Sequence, residues 1–351
     1  MWAVLIPVGS IALLVVALFL SLGGALAFAC AAALIGAAIC TVHHAEVVAL
    51  RVGERFGALV LALAMTTIEV AIVLPIMAPG GPERATLPRD AIFASTMIVC
   101  NGVVGLCLLI AGLRYREQPM RIVETRTALV TLIALIALSL VLPPFTARLA
   151  GQTDTVAQRL FAASTSLVLW AMFVIAQTLR QRDYFLSTNS ADGEGLHVPP
   201  PPTRIAWASF GLLLVALVAV VGMARVLAPR IDTVVSGAPK GIIGIAIALL
   251  VLMPEIWAAV RAARANRLQT SLNLAFSAVL ASIGLTIPAI VLISILIDLP
   301  LALGLGPKDL VLLVLTFIVT SITFRSRRIQ PLQGAVHLVI FAAFLVPALI
   351  R

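Results

Sequence analysis

The sequence predicts an all-α polytopic membrane protein with about eleven transmembrane helices. Of its 351 residues, 62% are hydrophobic and only 11% are charged, and the mean hydropathy is +1.14. These values lie outside the range of soluble domains. The apolar residues also fall into eleven runs of the length that a bilayer-spanning helix needs. Together the two observations exclude a soluble enzyme.

The eleven runs are separated by polar segments, most of them short. The predicted spans cover residues 2–20, 23–41, 54–78, 90–112, 127–147, 159–179, 205–228, 241–263, 271–297, 309–324 and 332–350. Residues 21–27, SLGGALA, weakly resemble a cleavage site. A signal peptide removed within residues 1–27 is therefore a minor alternative for the first span.

The net charge of +9 comes from Lys and Arg dispersed over many loops, which argues against a nucleic-acid partner. Fifteen of these residues lie in loops after even-numbered spans and eight in loops after odd-numbered spans. Cytoplasmic loops carry the excess of positive charge. The amino terminus is therefore predicted to be cytoplasmic and the carboxyl terminus to lie outside.

No pattern of an enzyme or of a resident metal appears in the sequence. The four cysteines all fall inside apolar runs and lack metal-ligand spacing. Phosphate-binding loops and nucleophile–base motifs are absent as well. We therefore expect a protein without enzymatic activity and without a cofactor.

The third span carries an acidic residue at membrane depth. Between Phe56 and Leu74, the only side chains that bear oxygen are Thr66, Thr67 and Glu69. An acid inside a span costs a few kcal/mol and usually belongs to an ion or proton path. Thr66 lies three residues before Glu69, on the same helical face. The pair is predicted to form half of a site made of hard oxygens.

A polar, proline-rich segment, residues 180–204, divides the chain into comparable halves. With residues 1–22 as an extra amino-terminal helix, residues 23–179 and 205–351 each contain five spans. The linker itself is predicted to be cytoplasmic. An odd number of spans in each half predicts two repeats of inverted orientation, with an ion site at their interface.

The second half contains a matching acid, Glu255, in the eighth span. This span lies five after the span of Glu69, so the two helices should run in opposite directions through the membrane. Pro254 precedes Glu255 and cannot donate to the helix ladder, which frees the carbonyl of Leu250. A free carbonyl is a further cation ligand.

The span that follows each acid combines small residues with oxygen-bearing ones. These stretches are residues 93–105, which contain Asn101, and residues 276–288, which contain Ser277 and Ser282. Small residues let helices approach closely, and amide or hydroxyl oxygens complete a coordination shell. All three are predicted to bind the cation beside the two carboxylates.

Four stretches resemble the ChaA-type calcium/proton antiporters of the calcium/cation antiporter superfamily. They are HHAEVVALRVGERFGALVLALAMTTIEVAIV, RDAIFASTMIVCNGVVGL, LVLMPEIWAAVRAARANRLQTSLNLAFSAVLASIGLTIP and PLQGAVHLVIFAAFL. The resemblance implies that Glu69 and Glu255 bind the cation and exchange it for protons. It also implies a bacterial inner membrane protein. This chain lacks the strongly acidic central loop that many relatives have.

The leading hypothesis is therefore an antiporter that exports Ca²⁺ in exchange for H⁺, with these ions and membrane lipid as its partners. The nearest alternative keeps the fold and transports Na⁺ or K⁺. A cation channel and a non-transporting scaffold are further alternatives. Two repeats within one chain make a monomer sufficient for transport, and a dimer is the alternative.

A polar cluster lies near the predicted cytoplasmic end of the second span. It consists of His43, His44, Glu46 and Glu54. Histidine titrates near neutral pH, so one reading is proton entry or pH sensing. The alternative reading is an amphipathic helix at the membrane surface.

Overall fold

The computed structural model of the chain describes residues 2–20, 23–78, 81, 84–115, 123–146, 154–177, 201–235, 240–325 and 330–350. Within them the chain forms eleven helices and no strands. The helices are α1 Trp2–Phe19, α2 Gly24–Val52, α3 Glu54–Met77, α4 Leu87–Tyr115, α5 Val123–Ile136 with its continuation to Thr146, α6 Val156–Ile175, α7 Thr203–Val235, α8 Lys240–Arg264, α9 Leu268–Leu296, α10 Pro307–Thr323 and α11 Pro331–Ile350.

All eleven predicted spans coincide with these helices, which confirms the predicted all-α membrane class. Nine of the helices in the described residues are long and apolar enough to cross a bilayer, and a shorter apolar helix covers Pro331–Val346. The division into an extra helix and two repeats stays a prediction. Most of the predicted linker, up to residue 200, lies outside the described residues.

The clearest difference from the prediction lies in α2, which does not end near residue 41. It continues to Val52, so His43, His44 and Glu46 belong to this helix, whereas Glu54 begins α3. Gly53 then separates α2 from α3, with a φ of 89° that favours glycine. A Cβ on Gly57 would lie 2.9 Å from the carbonyl oxygen of Ala49, so the two helices leave this junction in close contact.

Helices from the two halves pack against each other in a reciprocal pattern. The Glu69 helix, α3, packs against α9, and the Glu255 helix, α8, packs against α4. Because α9 follows α8 and α4 follows α3 along the chain, each acid-bearing helix contacts the helix that follows the other acid. This is the arrangement expected of two repeats that meet at a shared site.

Glycines permit the closest of these approaches. A Cβ on Gly244 of α8 would lie 2.8 Å from the backbone of Asp90 in α4. On another side of α4, Gly105 faces Gly334 of α11, where a Cβ would lie within 3.1 Å of the opposing carbonyl. α4 is therefore held between α8 and α11 with little room for side chains.

The segment between α9 and α10 forms a strap across one end of the bundle. Leu301, Leu303 and Leu305 are buried, and the backbone between them bonds to first-half elements. Ala302 donates to the carbonyl of Ala85 at 3.0 Å, and Leu305 donates to Leu140 at 2.9 Å. The strap therefore joins the two halves of the chain at one end of the bundle.

Asp154, just before α6, anchors the strap. Its Oδ2 accepts a hydrogen bond of 2.6 Å from the amide of Leu303, and its own amide donates to Leu301. The side chain is buried, and this burial raises the pKa of its carboxyl, although the Leu303 amide and the guanidinium of Arg159 act in the opposite direction.

We expect Asp154→Asn to change how stability depends on pH. Below pH about 4, the ordinary pKa of Asp, the wild-type carboxyl is protonated in both the folded and the unfolded protein. As the pH rises through the raised pKa, ionisation of the buried group costs folding free energy. Asparagine keeps an oxygen for the Leu303 amide but cannot ionise. As the pH rises from 4 to 8, the thermal midpoint of the variant in detergent should therefore increase relative to that of wild type.

The matched control is Asp298→Asn, because Asp298 is an exposed acid close to the same strap. Its midpoint should follow that of wild type at every pH. A difference between Asp154→Asn and wild type that stays constant over this pH range would show that Asp154 ionisation does not affect stability.

Candidate cation and proton site

Glu69 lies inside the bundle and bonds across the boundary between the two halves. Its side chain is only 1% exposed. Its Oε2 accepts hydrogen bonds of 2.6 Å from the hydroxyl of Ser282 and 2.6 Å from the hydroxyl of Thr286, both on α9. Burial of a carboxylate is costly unless its oxygens are hydrogen-bonded. The two hydroxyls reduce this cost and fix the position of the carboxylate.

Ser282 was predicted as a site residue, whereas Thr286 was not. The two residues are four apart and therefore lie on the same face of α9. That spacing, measured from Ser282, is the sequence signal that would have identified Thr286. Its side chain is fully buried.

Thr66 lies one turn before Glu69 on α3. Its side chain is 6% exposed, and its hydroxyl oxygen has no hydrogen-bond partner among the described residues. Thr67, by contrast, bonds to the carbonyl of Leu63 in its own helix. A buried hydroxyl without a partner is unusual and leaves Thr66 free to bind a ligand.

Glu255 differs from Glu69 in its surroundings. Its Oε2 is buried but has no hydrogen-bond partner within the described part of the chain, although the residue as a whole is only partly buried. Pro254 lies directly before it inside α8, as the sequence indicates. α8 also contacts α3, so the two acids lie on adjoining helices. Glu69 is thus bonded to two hydroxyls, whereas Glu255 has a buried carboxylate oxygen without a hydrogen-bond partner among the described residues.

Asn101 and Ser277 form hydrogen bonds to residues other than the two acids. Asn101 donates to the hydroxyl of Thr316 at 2.9 Å, and its oxygen lies 3.2 Å from Nδ1 of His337. Ser277 accepts a bond of 3.4 Å from Gln177 of α6. Neither forms a hydrogen bond to Glu69 or Glu255 in the described residues, so their predicted role as cation ligands has no support from the geometry.

The polar cluster of His43, His44, Glu46 and Glu54 is divided between α2 and α3. His44 is buried and bonds to the carbonyl of Ala3 at 2.8 Å, which links α2 to α1, and the ring of His43 lies 5.1 Å from that of Trp2. Glu46 is exposed and interacts electrostatically with Arg261 and Glu255. Its predicted part in proton entry stays a prediction.

The side chain of Glu54, the fourth member of that cluster, lies outside the described part of the structure.

Among the described residues no group of three or more His, Cys, Asp or Glu side chains could hold a metal ion. The polar atoms that surround Glu69 are hydroxyl oxygens. Oxygen ligands of this kind bind Ca²⁺ and other hard cations.

The fold and the buried acids define a class of protein, the polytopic membrane transporters of ions. The chain belongs to the sodium/calcium exchanger protein family, whose model matches residues 9–179 and 208–349. Proteins of this family are ion exchangers and not enzymes, which confirms the expected absence of enzymatic activity. The family also confirms the resemblance to the calcium/cation antiporters.

Two curated relatives are similar over most of their length. The putative ionic transporter y4hA of Sinorhizobium fredii (strain NBRC 101917 / NGR234) is 43% identical over 318 residues, which cover 89% of this chain and 85% of the relative. The sodium-potassium/proton antiporter ChaA of Escherichia coli (strain K12) is 32% identical over 317 residues, with the same coverage of both chains.

Solved structures share the fold. The structure of native YfkE matches with a TM-score of 0.74 at 18% identity and covers 100% of both chains. The H⁺/Ca²⁺ exchanger CAX matches with a TM-score of 0.61 at 15% identity, over 91% of this chain and 82% of that chain. At this level of identity the likeness extends to the fold alone.

The hydroxyls on Glu69 can be tested by removing them. Ser282→Ala and Thr286→Val each delete one hydrogen bond to the buried carboxylate, and such a bond contributes about 1.5–3 kcal/mol. We expect each variant to reduce ion exchange in membrane vesicles roughly tenfold or more at a subsaturating cation concentration, and the double variant to abolish it.

Ser294→Ala is the matched control. Ser294 lies on the same helix and is buried, but its hydroxyl bonds to the carbonyl of Val291 in its own helix. Its exchange rate should equal that of wild type. Equal losses in Ser294→Ala and Ser282→Ala would mean that any buried hydroxyl on α9 matters, and would contradict a specific role for the Glu69 bonds.

Proposed function

We propose that the chain is a secondary antiporter that exports Ca²⁺ from the cytoplasm in exchange for H⁺. Glu69 and Glu255 bind the cation and the protons alternately. The observation that carries this proposal is the Glu69 carboxylate, which is buried in one half and bonded to two hydroxyls of the other half. An ion that binds this carboxylate would contact both halves of the chain, so ion binding would be coupled to the position of one half relative to the other.

The oxygens near Glu69 suit a calcium ion, which takes six to eight oxygen ligands. Two carboxylates supply up to four, and a hydroxyl can donate its hydrogen to a carboxylate while its lone pairs face a cation. The hydroxyls of Thr66, Ser282 and Thr286 would add to these. The carbonyl of Leu250, freed by Pro254, and water would complete the shell.

Protons compete with the cation for the same oxygens. Burial disfavours the charged form of a carboxyl, and two carboxylates on adjoining helices repel each other. An empty site therefore takes up protons. The loaded site and the protonated site are each close to neutral and can change sides, whereas the empty dianion is too costly to bury. This restriction couples the two opposite flows.

The membrane potential limits the direction and the stoichiometry. Moving one Ca²⁺ outward against about 100 mV costs roughly 4.6 kcal/mol, because each charge costs about 2.3. An entering proton returns roughly 2.3 kcal/mol, plus about 1.4 for each pH unit of gradient. More than one proton for each Ca²⁺ therefore favours export.

A second candidate is exchange of Na⁺ or K⁺ for H⁺ by the same site. It is favoured by the relative named sodium-potassium/proton antiporter, which is 32% identical to this chain. The same carboxylate and hydroxyl oxygens can bind monovalent cations.

The proposal includes the arrangement of the chain in the membrane. Residues 1–22 form the extra helix, residues 23–179 and 205–351 form the inverted repeats, and residues 180–204 form a cytoplasmic linker. Reciprocal packing of α3 on α9 and of α8 on α4 supports this division. We place the protein in the bacterial inner membrane, with its amino terminus inside and its carboxyl terminus outside.

The function is tested in everted membrane vesicles with an imposed inside-acid pH gradient. Ca²⁺, Na⁺ and K⁺ are added separately, and a pH-sensitive dye follows the collapse of the gradient. We expect Ca²⁺ to collapse the gradient in wild type, whereas Glu69→Gln and Glu255→Gln should abolish the response because a neutral amide cannot exchange a proton for a cation. Asp298→Asn, a change in an exposed acid, is the control and should retain full activity.

If only Na⁺ or K⁺ collapses the pH gradient, the function is exchange of that cation for H⁺ and not Ca²⁺ export. Proton-coupled flux that persists in either glutamine variant would contradict the two-carboxylate mechanism. If no cation collapses the gradient in verified wild-type protein, the channel and scaffold alternatives remain.

A further inference from the structure

A buried polar network joins α4, α10 and α11 and, among the described residues, shares no hydrogen bond with Glu69. Asn101 donates to the hydroxyl of Thr316 at 2.9 Å, and its oxygen faces Nδ1 of His337 at 3.2 Å. Nε2 of His337 lies 3.2 Å from the hydroxyl of Thr323. Asn101, Thr316 and His337 are all fully buried.

One tautomer of His337 satisfies all of these contacts. When Nδ1 of His337 carries the hydrogen it donates to the Asn101 oxygen, and Nε2 then accepts from the hydroxyl of Thr323. The imidazole is neutral in this arrangement. Asn101 accepts with its oxygen and donates with its nitrogen, so it cannot pass a proton onward without changing tautomer. The network is therefore suited to holding a position and not to conducting protons.

Asn101 lies in an irregular part of α4. Residues Ile98–Val103 form a π-helical turn between two α-helical stretches. Such turns are rare and are frequent at functional sites. Side chains from α10 and α11 thus hold Asn101, the one amide side chain of this turn.

The other neighbours of the π-helical turn are the helices of the ion site. The turn packs against α8, which carries Glu255, and against α9, which carries Ser282 and Thr286. Next to it, Gly105 and Gly334 bring α4 and α11 into backbone contact. A shift of the turn away from α10 and α11 would therefore be transmitted to the helices that carry both halves of the site.

We propose that Asn101, Thr316 and His337 are positioning residues that hold the π-helical turn of α4 so that α8 and α9 present their oxygens to the cation. Asn101 acts through its amide bonds and not as a cation ligand. This inference rests on the proposed cation site and adds three residues that act on it through the packing of the turn against α8 and α9.

The test compares two isosteric substitutions on α10. Thr316→Val removes the partner of the Asn101 amide. Thr320→Val removes a hydroxyl whose one partner among the described residues is the carbonyl of Thr316 in its own helix. Both threonines are fully buried and one turn apart, so the two variants lose the same group from the same helix. We expect the KM for Ca²⁺ in everted vesicles to rise about tenfold in Thr316→Val. Its maximal rate should stay within about twofold of wild type, and Thr320→Val should match wild type in both.

Substitutions of His337 provide a second measurement. His337→Leu should raise the KM as Thr316→Val does. His337→Asn places an amide near the position of Nδ1 and should restore most of the affinity, whereas His337→Gln, whose amide lies near Nε2, should not. If the double variant Thr316→Val/His337→Leu raises the KM no further than either single variant, the residues act as one unit.

Binding without transport separates this inference from the proposed function. The rise in thermal midpoint with added Ca²⁺ in detergent reports affinity for the folded protein alone. Weaker stabilisation of Thr316→Val than of Thr320→Val supports the positioning role even if vesicles show no exchange. Unchanged KM and unchanged stabilisation in Thr316→Val and His337→Leu would overturn it. A raised KM in Asn101→Leu alone would instead make Asn101 a cation ligand.

Discussion

The structure depends on the cost of burying the Glu69 carboxylate in an apolar bundle. Burial of a carboxylate at this depth costs less when its oxygens have hydrogen-bond partners. In this protein the partners are Ser282 and Thr286, which come from the other half of the chain. The two halves of the chain are therefore joined at the point where we propose that the ion binds, and movement of one half relative to the other would alter the same oxygens.

The two acids are unequal, although their helices occupy reciprocal positions. Glu69 is bonded to two hydroxyls, whereas Glu255 has a buried oxygen without a partner among the described residues. The unpartnered oxygen of Glu255 gains most from a proton or a cation, and the bonded carboxylate of Glu69 is already oriented. In the proposed exchange, both carboxylates take up the cation and the protons, and the hydroxyls bonded to Glu69 would keep the geometry of the site while they do so.

Contacts away from the acids also fix the position of the two halves of the chain relative to each other. The 299–306 strap bonds the second half to the ends of α4, α5 and α6, with Asp154 accepting from Leu303. At the middle of α4, Asn101 bonds to α10 and α11. Both features use buried polar groups with defined partners, which specify one arrangement more strongly than apolar packing alone.

The sequence by itself determined the eleven helices, the two acidic spans and the family, because apolar run length and an isolated acid in such a run have few interpretations in a bilayer. It also identified Ser282. Only the tertiary structure decided that Thr286 completes the Glu69 contact, that Asn101 faces His337 and that Ser277 faces Gln177. Composition indicates which spans hold oxygen, but the partner of each oxygen depends on how the helices rotate and cross, and that is set by long-range packing.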